Sequence, residues 1–205
     1  MPRIDRWVIS NVLNDKYLIN YLKKHETEIS INISWATLND LDLLDYIRTI
    51  MAKSPIPATS ICFEITETAA IANVPATLKF MRNMKLLGCK FALDDFGSGL
   101  SSFSYLKNLP VDYLKIDGSF IRDITTDTTN YAMVESIDHI GKVMGIKTVA
   151  EYVFDKSTYK KLKQIGVDFV QGYYVHTPMP TSDLELLDTV ETLAQAKKEI
   201  NPNLI

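Results

Sequence analysis

The chain has 205 residues, 46% of them hydrophobic and 23% charged, an ordinary globular composition with enough length for one sizeable core. Its net charge of −3, with no basic stripe, excludes the usual footprint of a duplex nucleic-acid binder. No apolar run approaches the ~18 residues of a membrane span, and Met1-Pro-Arg-Ile-Asp-Arg6 lacks the apolar centre of a signal peptide. A soluble, cytoplasmic chain without membrane contact is therefore expected.

In chain order, Ile4, Trp7, Val8, Val12, Leu18 and Tyr21 follow helical spacing and predict a helix from residue 3 to about residue 24. Short apolar runs then alternate with longer amphipathic ones. Strands are expected at 29–33, 60–65, 90–93, 113–116, 146–150 and 167–170. Helices are expected at 41–51, 75–87, 101–107, 130–144 and 155–164, with Gly88 and Gly145 closing two of them. A final amphipathic helix is expected over 182–198. Cys62 and Cys89 lie in strand runs and read as small buried hydrophobes. The three histidines show no metal-ligand spacing.

The alternation is β then α throughout, with no internal repeat or linker, so one domain spanning 1–205 with a parallel sheet under helices is expected. A doubly wound open sheet would carry a glycine-rich phosphate turn near its first strand, and none is present. A (β/α)8 barrel instead places polar residues at the C-terminal ends of successive strands. Asn32, Glu64, Asp94 with Asp95, Lys115 with Asp117, Glu151 and Gln171 all stand there. The barrel is the better reading of this α/β chain. Only six strands can be found where closure takes eight, which places the deficit at the N-terminal end.

Four carboxylates, an amide and an amine converging on one rim suit hard cations bound through oxygen: Mg²⁺, Mn²⁺ or Ca²⁺ rather than zinc. Two neighbouring carboxylates plus a third on another strand could hold two ions ~3.5–4 Å apart, the arrangement used for phosphoester hydrolysis. A lysine beside them can take a proton or offset charge in the transition state. Residue by residue, blander roles are available, including helix caps for the acids and turn chemistry for Asp95.

Seven motifs occur in a recognisable order: Asn32-Ile-Ser34, Glu64-Ile-Thr-Glu67, Asp94-Asp-Phe-Gly-Ser-Gly-Leu-Ser-Ser102, Tyr105-Leu-Lys-Asn-Leu-Pro110, Lys115-Ile-Asp117, Ala150-Glu151 and Gln171-Gly-Tyr173. Together they resemble the EAL-domain family over about residues 4–180. That resemblance implies hydrolysis of cyclic di-GMP to pGpG with two Mg²⁺ or Mn²⁺ ions, Ca²⁺ being inhibitory. It implies Asn32, Glu64, Asp94, Asp95 and Glu151 as metal ligands, with Lys115, Glu151 and Asp95 catalytic. It implies Gln171, Asp117 and Pro178 as substrate contacts. Glu67 resembles the anchor of a loop containing Gly97, Ser98, Gly99, Ser101 and Ser102. It further implies fused sensory or GGDEF domains in a longer protein. Self-association as a homodimer or larger is expected separately, because an unclosed parallel sheet exposes backbone edges that invite pairing.

Two departures qualify the resemblance. The Glu-Ala-Leu motif that names the family is absent, which removes one metal ligand. After Ala150-Glu151, where relatives usually continue Gly-Val-Glu, this chain reads Tyr152-Val-Phe154. Two readings follow: a phosphodiesterase weakened or silenced by the missing motif, and a degenerate module that binds cyclic di-GMP or a protein without turnover.

Overall fold

The computed structural model describes residues 2–40, 42–98 and 103–188. Among them the chain forms one parallel sheet of six strands in sequential order: β1 (Ile29–Asn32), β2 (Ile61–Thr66), β3 (Lys90–Phe96), β4 (Tyr113–Ile116), β5 (Lys147–Ala150) and β6 (Phe169–Val170). The strands are short apolar runs because parallel strands are covered on both faces. Ile61, Cys62, Phe63 and Ile65 are all buried, as are Phe91, Ala92 and Leu93. Phe63, Phe80 and Phe91 meet with ring centroids 5.7–5.8 Å apart at the centre of the core.

The N-terminal periodicity resolves into two helices, α1 (Pro2–Asn14) and α2 (Lys16–Lys24), rather than the single one expected. Asp15 is the reason: its Oδ1 accepts the N–H groups of Tyr17 and Leu18 at 2.8 and 3.2 Å and starts a new helix there. Asp15→Ala is expected to cost about 1 kcal/mol, read as a lower midpoint in urea unfolding.

The crossover helices are α3 (Trp35–Leu38) and α4 (Leu43–Met51), then α5 (Glu67–Ala72) and α6 (Val74–Leu87). They continue with α7 (Phe103–Leu106), α8 (Gly118–Arg122), α9 (Thr128–Met144) and α10 (Lys156–Ile165). Helices α3, α5 and α8 were not expected. They span 4, 6 and 5 residues, too short for a helical period to register. Local caps start two of them: Thr66 Oγ1 accepts from Ala69 N–H at 3.3 Å, and Asp117 Oδ1 accepts from Ser119 N–H at 2.7 Å.

The sheet curls without closing, since β1 and β6 do not pair with each other. One cavity of about 340 Å³ is lined by Glu28 and Ser30 on the β1 side and by Phe169 and Gln171 on the β6 side. The two edges therefore face a common space. Outside it, a 3₁₀ segment (Thr181–Asp188) packs against α2, and Thr181 Oγ1 donates to Asp15 Oδ2 at 2.8 Å. The helix expected over 182–198 begins as this 3₁₀ segment, and its remainder lies outside the described residues. Both cysteines are buried free thiols; burial pushes Cys62 up to about 12 and Cys89 up to about 11. Among the described residues no helix is long and apolar enough to cross a membrane.

Candidate active site

Successive parallel strands end at one rim, and the register sets which side chains meet there. Asn32 pairs with Glu64 across β1 and β2, and Thr66 pairs with Asp94 across β2 and β3. Lys115 lies on β4, Glu151 follows β5, and Gln171 follows β6. Asn32, Glu64, Asp94, Asp95, Lys115, Glu151 and Gln171 line one cleft of about 530 Å³, together with Tyr152, Phe154, Gly172 and Tyr173.

In a regular strand, consecutive residues point to opposite faces. Asp94 and Asp95 escape that rule because the β3–β4 register shifts between Leu93 and Phe96, and Asp95 takes a left-handed φ of 53°. Such a bulge re-aims a side chain. One oxygen each from Asp94, Asp95 and Glu151 then lies within 4.8 Å of the others. That all-oxygen triad fits a hard divalent cation.

Lys115 is the electrostatic hub. It is 5% exposed, and its Nζ lies 2.7 Å from Glu151 Oε1, 2.8 Å from Glu64 Oε2 and 3.0 Å from Asp94 Oδ1. Burial pushes its ammonium toward neutrality, but the charge of Glu64 and hydrogen bonds to Glu151 and Glu64 outweigh this and raise its pKa. Lys115 thus stays protonated. Glu151 is also raised, which at first sight conflicts with its ion pair. Its burial and the charges of Asp94 and Asp95 together exceed the pull of Lys115. Asp95 is raised by burial, then by Asp94 and Asp117. Four carboxylates face one ammonium, so the rim is short of positive charge.

The raised acids leave a pH signature. A carboxylate with a raised folded pKa contributes stability below its free value, and this is lost as pH rises through the folded value. The metal-free protein is expected to lose part of its stability as pH rises above the free values of 3.8 for Asp95 and 4.5 for Glu151. Urea midpoints measured against pH should follow this trend, and Glu151→Gln should flatten it.

Behind the cleft, Glu67 is 2% exposed at the start of α5. Its Oε2 accepts the N–H of Gly97 at 3.0 Å, and its Oε1 accepts the phenol of Tyr105. Burial and then this bond raise the Tyr105 pKa. Glu67 thereby ties both flanks of the segment between β3 and α7. Ser98 is exposed and donates to the carbonyl of Asp95 at 2.8 Å, while Gly99, Ser101 and Ser102 lie outside the described residues. Asp117 is not among the cleft-lining residues and caps α8; Pro178 is exposed and also outside the lining. Glu67→Gln is expected to cost about 1–3 kcal/mol, measured by chemical unfolding.

Sequence reasoning gave no role to Gly118 and Arg122. They back Tyr152: a Cβ on Gly118 would come within 2.1 Å of that ring, and the Arg122 guanidinium lies 4.9 Å from its centroid. A glycine just inside a short helix carries no signal that would have pointed to this contact.

The model of the EAL domain family matches residues 1–178. Over 180 residues the chain is 42% identical to the cyclic di-GMP phosphodiesterase PdeB of Shewanella oneidensis, covering 88% of this chain and 21% of that protein. The PaMucR phosphodiesterase, solved as a c-di-GMP complex, matches with a TM-score of 0.82 at 29% identity, covering 89% of this chain and 74% of that one. The EAL domain of Mycobacterium smegmatis DcpA matches with a TM-score of 0.84 at 27% identity, covering 91% and 84%. These likenesses bear out the barrel-type α/β fold. The chain spans about a quarter of the length of the curated relatives it matches, 21%, 26% and 25% for three of them.

Proposed function

We propose, from the fact that this chain belongs to the EAL domain family, that it is a cyclic di-GMP phosphodiesterase domain opening the dinucleotide to pGpG. The observation that carries this reading is the Lys115 hub within 3.0 Å of three carboxylates, beside the Asp94, Asp95 and Glu151 triad. Mg²⁺ or Mn²⁺ fits these donors: Asn32, Glu64 and Asp94 would hold one ion, and Asp94, Asp95 and Glu151 the other. When bound, such ions supply Lewis-acid polarisation of the phosphodiester and an acidified water. Lys115 offsets the charge that builds on the phosphoryl oxygens. Gln171 orients the substrate, with Asp117 and Pro178 as outer contacts, and Glu67 anchors the segment that follows β3 through Gly97.

A second reading has its own support. Tyr152 and Phe154 follow Glu151 where the family resemblance implies glycine and glutamate, and both rings are exposed. A module that binds cyclic di-GMP without turnover would carry such changes. The assay that separates the two readings supplies cyclic di-GMP with Mg²⁺ or Mn²⁺ and follows pGpG. The first expects turnover, abolished in Lys115→Ala and Glu151→Ala; the second expects binding in Ca²⁺ and no pGpG with any ion.

The same proposal covers the setting. The domain acts in the cytoplasm, alone over residues 1–205 or fused to sensory or GGDEF domains in a longer protein. It self-associates, because among the described residues β1 and β6 each pair on one side only, and such sheet edges invite pairing with another chain. Sedimentation at micromolar concentration should report a dimer or larger; a compact monomer would argue against association.

A further inference from the structure

Three large rings stand exposed on one wall of the cleft: Tyr152 at 47%, Phe154 at 52% and Tyr173 at 61%. Aromatic surface left in water beside an anionic pocket contributes nothing to the core and marks a surface for flat apolar ligands. The rings form one cluster. Tyr152 and Phe154 have centroids 6.1 Å apart, and Phe154 and Tyr173 lie 5.6 Å apart edge to face at 68°.

The backbone holds the cluster in place. The loop after β5 and the loop after β6 are joined by two hydrogen bonds, Val153 N–H to Gln171 C=O and Tyr174 N–H to Val153 C=O, both 3.0 Å. Gly172 allows this approach, since a Cβ there would sit 2.3 Å from the Val153 carbonyl oxygen. Phe154 and Tyr173, nineteen positions apart in sequence, are thereby set side by side. Tyr152 is wedged behind them against Gly118 and under Arg122. The two most exposed rings are therefore pre-set and need little ordering on binding.

We infer that Phe154 and Tyr173 form a shelf on which a purine base of the ligand stacks while its phosphate faces the carboxylate and lysine rim. This rests on the cyclic dinucleotide reading above and adds a base-holding role for residues with no metal or proton-transfer function. Stacking suits the site because every base offers a π face, and such contacts need no charged partner. Phenylalanine at position 154 suits this role: it offers a flat face and adds no further negative charge to a cleft that already holds four carboxylates.

The test is calorimetric titration of cyclic di-GMP into the full chain in Ca²⁺, for wild type, Phe154→Ala, Tyr173→Ala and Tyr173→Phe. Both rings are exposed, so the variants are expected to melt as wild type does, which circular dichroism checks. Each alanine variant should bind about 10- to 100-fold more weakly, and Tyr173→Phe within about twofold of wild type. Wild-type binding with the alanine variants unchanged overturns the shelf and leaves the dinucleotide reading standing. No wild-type binding in Ca²⁺, Mg²⁺ or Mn²⁺ overturns that reading and the shelf with it.

Discussion

Lys115→Met is expected to destabilise the metal-free protein by about 3–5 kcal/mol, the usual consequence of removing one partner from a buried ion pair. Methionine keeps most of the buried stem and removes only the charge. Glu64, Asp94 and Glu151 then lose the ammonium that sits within 3.0 Å of each. At an effective dielectric near 20, two charges 4 Å apart interact by about 4 kcal/mol, so the carboxylates' mutual repulsion cannot be ignored once the lysine is gone. A divalent cation is the natural substitute. Ligand at 100 times its dissociation constant stabilises by about 2.7 kcal/mol. The variant should therefore gain more from Mg²⁺ or Mn²⁺ than wild type does. Urea unfolding in EDTA and in excess Mg²⁺ measures both numbers. A variant as stable as wild type in EDTA, with no larger response to the ion, would show that Lys115 is not the counter-charge of this cluster.

The parts of this site that sequence could reveal are those repeated from strand to strand. Polar residues at the ends of apolar runs indicated a common rim because parallel strands in sequential order must end together. Asn32, Glu64, Lys115 and Glu151 were legible for that reason. Asp95 was legible as a partner of Asp94 at the rim, but the backbone device that brings the two side chains together was not. Strand alternation would have sent it to the other face, and no local pattern announces the bulge between Leu93 and Phe96. The same bulge explains why β3 runs on through Phe96 when its apolar run ends at Leu93. The break at Asp15 was hidden differently: apolar spacing continues across it, and only the capping bonds to Tyr17 and Leu18 interrupt the helix. Helices of four to six residues bury too few side chains to print a period. Pairing of Phe154 with Tyr173 depends on a close approach of two loops, which is a property of the folded backbone.

Gly172→Ala tests that close approach and is expected to cost about 3–5 kcal/mol, from overpacking plus weakened backbone hydrogen bonds. The added methyl would lie 2.3 Å from the oxygen, 2.4 Å from the nitrogen and 2.8 Å from the carbonyl carbon of Val153. These are backbone atoms and cannot rotate aside as a side chain could. Two of them, the nitrogen and the oxygen, also make the hydrogen bonds to Gln171 and Tyr174 that hold the two loops together. Relief therefore means separating the loops, which moves Gln171 and Tyr173 away from Glu151 and Phe154. Gly145→Ala is the matched control. That glycine caps α9 at a φ of 71° with nothing within 4 Å of a built Cβ. Its substitution carries only the left-handed penalty of about 1–2 kcal/mol and lies outside the cleft lining. Gly172→Ala should thus lose more stability than Gly145→Ala and should also weaken cyclic di-GMP binding, which the control leaves intact. Equal melting losses in the two variants, with ligand binding preserved in both, would mean that the loops tolerate separation and that the cleft does not depend on their contact.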